Sequence, residues 1–288
     1  MLKKLLRYDI AAIKKFFWIG VTVSLSASIV GALLLRFFIY ASEVEGNVAL
    51  MLLSLVALPI SIVAVIAVFF SFAFTAIMVF VRFYRHFFTD EGYLTFTLPV
   101  KRSTLLLSKT LSAVILLSAH FLVTAISIFL YILLAAPIAT GGGFIDLSLF
   151  TALGELFSVL WMQCSGWLPV FLLEALLAIF LLLCSSILLI QLCITFSTLI
   201  FKKAKLALSL LFCYGVSSVI SFVGQFGFAL FGGILSESVS ILLQEASGNR
   251  IFGAYALLAL VMLAVLATVS LLVYSLTQYL IDRKLNLA

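Results

Sequence analysis

Few side chains in this sequence can do chemistry. The 288 residues include two histidines, four cysteines and eleven acidic residues. A metal or hydrolytic centre needs such groups within reach of one another. His86 sits among Arg82, Tyr84 and Arg85, and His120 lies inside a long apolar run. No H-x-x-x-H and no carboxylate–histidine spacing accompanies either. Cys164, Cys184, Cys193 and Cys213 form no C-x-x-C pair, and three of them fall in apolar runs, where a thiol acts as a small hydrophobe. Neither a disulfide framework nor a metal site is expected, and no catalytic residue is assigned. Asp9, Asp90, Glu91 and Asp282 belong to segments that read as aqueous or interfacial. No G-x-x-x-x-G-K-[ST] loop occurs, and no Gly is followed by Lys, so the chain has no phosphate cradle of that type. Two features remain. One is Glu174, five residues after Pro169 and about one turn into an apolar run. It either faces an outer vestibule, where it would meet a cationic substrate, or is solvated at the outer interface. The other is the polar stretch FYRHFFTDEGYLTFTLPVKRSTLLLSKT, residues 83–110, between two very long apolar runs.

The rest of the chain must position these groups, and it is mostly oil. Hydrophobic residues make up 65%, charged residues 10%, and mean hydropathy is +1.36. Soluble domains carry roughly 25% charged residues, so this inventory cannot cover a water-facing surface. An all-α membrane protein is expected. The net charge of +6 reads as attraction to anionic headgroups rather than nucleic acid. About 20 apolar residues cross the hydrocarbon core as a helix. Six runs qualify: 16–39, 49–81, 104–136, 169–200, 206–233 and 251–281. None alternates with a period of two, so a β-barrel is excluded and helices satisfy the backbone.

Basic residues set the orientation. Lys3, Lys4, Arg7, Lys14, Lys15, Arg82, Arg85, Lys101, Arg102, Lys109, Lys202, Lys203, Lys205, Arg283 and Lys284 flank the spans on the N-terminal side. Only Arg36 and Arg250 lie opposite. The excess of cytoplasmic Lys and Arg seen in membrane proteins places both termini inside. Residues 1–15 read as an amphipathic interfacial helix, with Leu2, Leu5, Leu6, Ile10 and Ile13 at helical spacing against the lysines. As one helix the second run measures about 50 Å, against a core of about 30 Å. Tilt, a kink at Pro59 and projection into the cytoplasm are expected to absorb the excess. Between spans three and four, the outer loop 137–168 holds Gly141, Gly142 and Gly143, then a short apolar stretch, 147–162. That stretch reads as an interfacial or re-entrant helix, since a seventh span would put Lys202, Lys203 and Lys205 outside. The fifth run is the richest in glycine, and Gly224 and Gly227 are candidates for a packing seam, between two chains or within one. Gln191 and Gln225 lie at membrane depth and need partners.

The polar stretch predicts a helix of about two turns, Asp90 to Thr97. Thr89 or Asp90 would cap it and Pro99 would end it. Ser103 or Thr104 would cap the third span. Two turns do not fold alone, and Tyr93, Leu94, Phe96 and Leu98 cover more than one face. The string FTDEGYLTFTLPVKRSTLLLSK resembles the segment between the second and third spans of ABC-2-type transporter permeases of Gram-positive bacteria. Those relatives carry a similar D-E-G-Y-L-T-x-T-L-P-V string, then a basic residue and an L-L-x-S-K run. The six-span layout with a basic N-terminus is similar too.

The resemblance implies a permease subunit of an ATP-driven exporter in the bacterial plasma membrane. Such permeases pair with a second permease chain and dock onto two copies of a cytosolic ATP-binding subunit, which carries the ATP and Mg. The segment 87–99 would hold the coupling helix. Asp90, Glu91, Gly92, Tyr93, Leu94, Thr95 and Phe96 would then seat in a groove of the ATPase. The acids would meet its basic groups and the aromatics would fill its groove. A chain rich in Phe suits a peptide or an amphipathic cargo. The competing reading is an ATP-independent secondary transporter or channel. It would need ionisable groups near the midplane, and the six runs hold almost none.

Overall fold

The structure is a computed structural model. It describes residues 2–43, 48–89, 91–92, 97, 100–135, 148–164, 166–200, 211–212, 214–218 and 248–284. Six helices of four turns or more run through them: α1 (Leu2–Glu43), α2 (Val48–Phe88), α3 (Arg102–Ala135), α4 (Ser148–Gln163), α5 (Leu168–Ile200) and α6 (Gly248–Lys284). All but α4 are long and apolar enough to cross a membrane. The chain is an all-α membrane protein with several spans. The fifth apolar run lies mostly outside the described residues; those described within it, 211–212 and 214–218, are helical.

The helices exceed the apolar runs that predict them. At about 1.5 Å per residue, the 42-residue α1 is roughly twice as long as a bilayer core is thick. Residues 2–15 are the opening turns of that same helix rather than a separate element. α2 stays unbroken through Pro59 and continues past the apolar run to Phe88. α3 begins one to two residues before the predicted cap. The Lys101 carbonyl accepts the backbone N–H groups of Thr104 and Leu105, at 2.9 and 3.2 Å. Lys101 therefore stands at the cap position, and Ser103 and Thr104 fall inside the first turn. α5 opens in the same manner, with the Trp167 carbonyl accepting from Val170 and Phe171. Pro169 sits in its first turn, where a missing N–H costs nothing. Gly166 has φ +84° and turns the chain out of α4, a conformation that glycine adopts without penalty.

Two compact units divide the chain. One comprises Met1–Arg82 and Leu111–Ser158; the other comprises Phe83–Thr110 and Val159–Ala288. In the first unit, α2 buries Ser54, Ala57, Ser61, Ala64, Val68, Ser71 and Thr75. Their spacing alternates three and four residues, the repeat of a coiled-coil seam. Six of the seven are Ala, Ser or Thr. Small side chains let helices approach closely, which is how helices associate when lipid removes the hydrophobic drive. α1 answers with Ser24, Ser28 and Ala32. A Cβ on Gly31 would come within 2.5 Å of the Ala64 Cβ and 3.1 Å of the Tyr131 ring. Ser24 and Ser127 share a hydrogen bond of 2.8 Å. From Gly20 to Gly31 on α1, contacts step backwards from Thr75 to Ala64 on α2 and forwards from His120 to Tyr131 on α3. The helix directions are therefore up, down, up.

In the second unit, α5 and α6 start together. Phe171 packs edge-on against Phe252, 6.2 Å apart, and Trp167 lies over Gly253. Further along, Leu182 and Leu266 still share one cleft, so the two helices run parallel. Thr110 donates 2.9 Å to the Gln191 amide oxygen, joining the first turns of α3 to the later part of α5. Arg102 donates to the carbonyls of Ile281 and Asp282, at 3.3 and 3.2 Å. A guanidinium on the last carbonyls of α6 complements the negative end of that helix. α4 is the odd element. Leu153, Leu156, Phe157, Val159, Trp161 and Met162 are all exposed on it, which suits an interfacial position.

Candidate functional site

Three places gather polar chemistry. The first is the tail of α2. Phe83 and Phe87 are buried there, beside Phe88. The Thr89 hydroxyl donates 2.6 Å back to the Arg85 carbonyl. This hydroxyl bond turns the Thr89 side chain back onto α2; Asp90, the other predicted cap, lies outside the described residues. Gly92 N–H then donates 2.7 Å to the Thr89 carbonyl. A Cβ on Gly92 would stand 2.9 Å from the Phe87 carbonyl oxygen, so a residue without one fits here best. The chain thus folds back on the last turn of α2. Arg85 Nη2 donates 2.6 Å to Glu91 Oε1, and His86 Nε2 lies 3.9 Å from Glu91 Oε2. Glu91 has its basic partner in its own chain, where the sequence reading gives it to a docking subunit. Both side chains of the main pair are well exposed, at 60% and 44%, so its contribution is at most about 1 kcal/mol. Of the seven residues assigned to the coupling helix, Glu91 and Gly92 are described and helical. Asp90, Tyr93, Leu94, Thr95 and Phe96 lie outside the described residues, as do Gly224 and Gly227.

The second place is a polar node inside the first unit. His120 is fully buried. Its Nδ1 lies 3.1 Å from the Thr75 hydroxyl and its Nε2 3.4 Å from the Ser71 hydroxyl. Phe17 and Phe72 present ring edges to it, each with centroids 5.8 Å away. A Cβ on Gly20 would come within 2.6 Å of His120 Cε1 and 2.7 Å of Thr75 Oγ1. Three helices therefore meet on one imidazole, with a glycine making room. Both ring nitrogens have hydroxyl partners, which suits a structural pin between helices.

The third place is Glu174 on α5. It is not the solvated interfacial residue that the sequence favours; it is 7% exposed. Its Oε1 has no hydrogen-bond partner among the described residues. The carboxylate lies in a cleft of about 390 Å³ between α5 and α6. Phe171, Ala178 and Leu182 line one wall; Ala259, Leu263 and Leu266 line the other. An acceptor shut away from water without a donor costs about 1–3 kcal/mol, and more if charged. A donor admitted to the cleft would lower that cost.

Sequence reasoning singled out Glu174 and the tail of α2 but passed over Ser71, Thr75 and Gly20. Their signal was present: small and hydroxyl residues recur at three and four along α2. Among the described residues no three His, Cys, Asp or Glu side chains gather as metal ligands do. No protein-family model matches the chain, and neither a curated protein nor a solved structure does.

Proposed function

We propose that this chain is the membrane-spanning permease subunit of an ATP-driven exporter of the ABC-2 type, in a bacterial plasma membrane. The string from Asp90 to Val100 carries the reading, through its resemblance to the coupling segment of such permeases. The geometry beside it supports the reading. Glu91 and Gly92 are bonded back to the end of α2. A partner that moved Glu91 and Gly92 would move α2 directly. The chain has no phosphate-binding loop, so ATP and Mg belong to a cytosolic subunit, present twice, beside a second permease chain.

Six spans with both termini inside complete the proposal. The parallel course of α5 and α6 supports the count, because two spans in the same direction require one return crossing between them. α1 and α3 run the same way in the first unit. In the second, the start of α3 is bonded to the end of α6. Both observations support termini on one side. The cytosolic partner is tested by purifying the chain gently from its native membrane and assaying what accompanies it. A subunit with ATPase activity should co-purify, and be lost when Tyr93 and Phe96 become Ala. The buried acid Glu174 favours a second reading, an ATP-independent transporter. Uptake by liposomes holding this chain alone, without ATP, would establish that one instead.

A further inference from the structure

We infer that the cleft between α5 and α6 is a binding site for an ammonium group carried on an apolar body, with Glu174 as its counter-ion. The inference stands whether or not an ATPase drives the protein. Three observations converge. The cleft, about 390 Å³, falls in the range of small-molecule sites. Its walls are apolar side chains of two parallel helices. A single carboxylate is nine-tenths buried among them, with Oε1 lacking a donor among the described residues.

Each observation restricts the ligand. The apolar walls reward an alkyl or aromatic body and, among the described residues, offer no second polar group to fix a sugar or a nucleotide. The lone acceptor asks for one donor, best a charged one. A protonated amine supplies both a positive charge and an N–H, whereas a neutral alcohol supplies only a weaker hydrogen bond. An anion would meet the carboxylate with like charge and lose its own hydration. A metal ion would find one carboxylate and a wall of methyl groups, far short of a coordination shell. Two sources carry the same chemistry: a free lipophilic amine, or the ammonium headgroup of phosphatidylethanolamine.

The test uses the full-length protein in a neutral detergent, with 4-phenylbutylamine and its isostere 4-phenylbutanol as probes. Binding is read by native mass spectrometry at neutral pH, where the amine is charged. The amine should bind roughly tenfold or more tighter to the wild type than to Glu174→Gln, as a charge-assisted hydrogen bond requires. The alcohol should bind both alike. Ala178→Phe, which fills the cleft but keeps the acid, should abolish amine binding. Its fold is checked by helicity and by the melting temperature. Added phosphatidylethanolamine that displaces the amine would assign the site to a lipid headgroup; failure to displace it would assign a free amine, and either result keeps the site. Equal binding of amine and alcohol to the wild type, or equal binding of the amine to wild type and Glu174→Gln, overturns the inference.

Discussion

His120 and Glu174 are both buried ionisable groups on helices that cross the hydrocarbon, and they are treated in opposite ways. Around His120 everything is supplied. Two hydroxyls face its two nitrogens, two phenyl edges enclose the ring, and Gly20 withdraws its own side chain to let the helices close. Around Glu174 nothing polar is supplied among the described residues, yet space is left beside it. The difference separates a group that holds helices together from one left without a donor among the described residues. Burial alone does not distinguish them. The count of partners does, because an unmet acceptor in an apolar site is tolerated only when a ligand or function offsets it.

The comparison breaks most visibly at Gly20. Gly20→Leu forces a side chain onto His120 and Thr75 and should destabilise the protein by about 3 kcal/mol, read from unfolding in mixed micelles. Gly154, with nothing within 4 Å of an added Cβ, is the control. Gly154→Ala should be neutral or slightly stabilising. Next comes the imidazole. His120→Ala removes the pin and leaves a void, at a cost of about 2 kcal/mol in the same assay. Glu174 should respond with the other sign. Glu174→Leu removes an unmet acceptor and should raise stability by about 1 kcal/mol while abolishing amine binding. A loss of stability there would mean that the carboxylate is a structural element like His120. Thr110→Val, which breaks the bond to Gln191, should cost about 0.6 kcal/mol, the average for hydrogen bonds between membrane helices. The exposed Arg85–Glu91 pair is last. A double-mutant cycle with Ala should give about 0.5 kcal/mol, shrinking further in high salt.

What the sequence reveals and what it conceals follow from one physical cause. Hydrocarbon thickness fixes a minimum length for an apolar helix, so α2, α3 and α5 can be located from composition within a few residues, apart from the polar tail of α2. The polar ends obey no such rule. Residues 1–15 read as an interfacial helix of their own and the stretch from Arg82 to Phe88 as part of the polar connection, yet one helix runs through each, because backbone hydrogen bonds propagate wherever no residue breaks them. The partnership of Gln191 with Thr110 was foreseeable only as a need. A buried amide must find a donor, but 81 residues of chain separate it from the one it uses. The burial of Glu174 was hidden for a similar reason. Its distance from Pro169 gives its depth, while its exposure depends on which face of α5 meets α6, and α5 is too uniformly apolar for its sequence to mark that face.

The account depends most on the claim that the residues following Gly92 are held by a motor protein in the cytosol. A photo-crosslinking amino acid placed at Phe96, irradiated in intact cells, tests it most directly. The account predicts a covalent adduct with a soluble protein that carries a phosphate-binding loop. Adducts with lipid alone, in cells where the protein is fully functional, would contradict it.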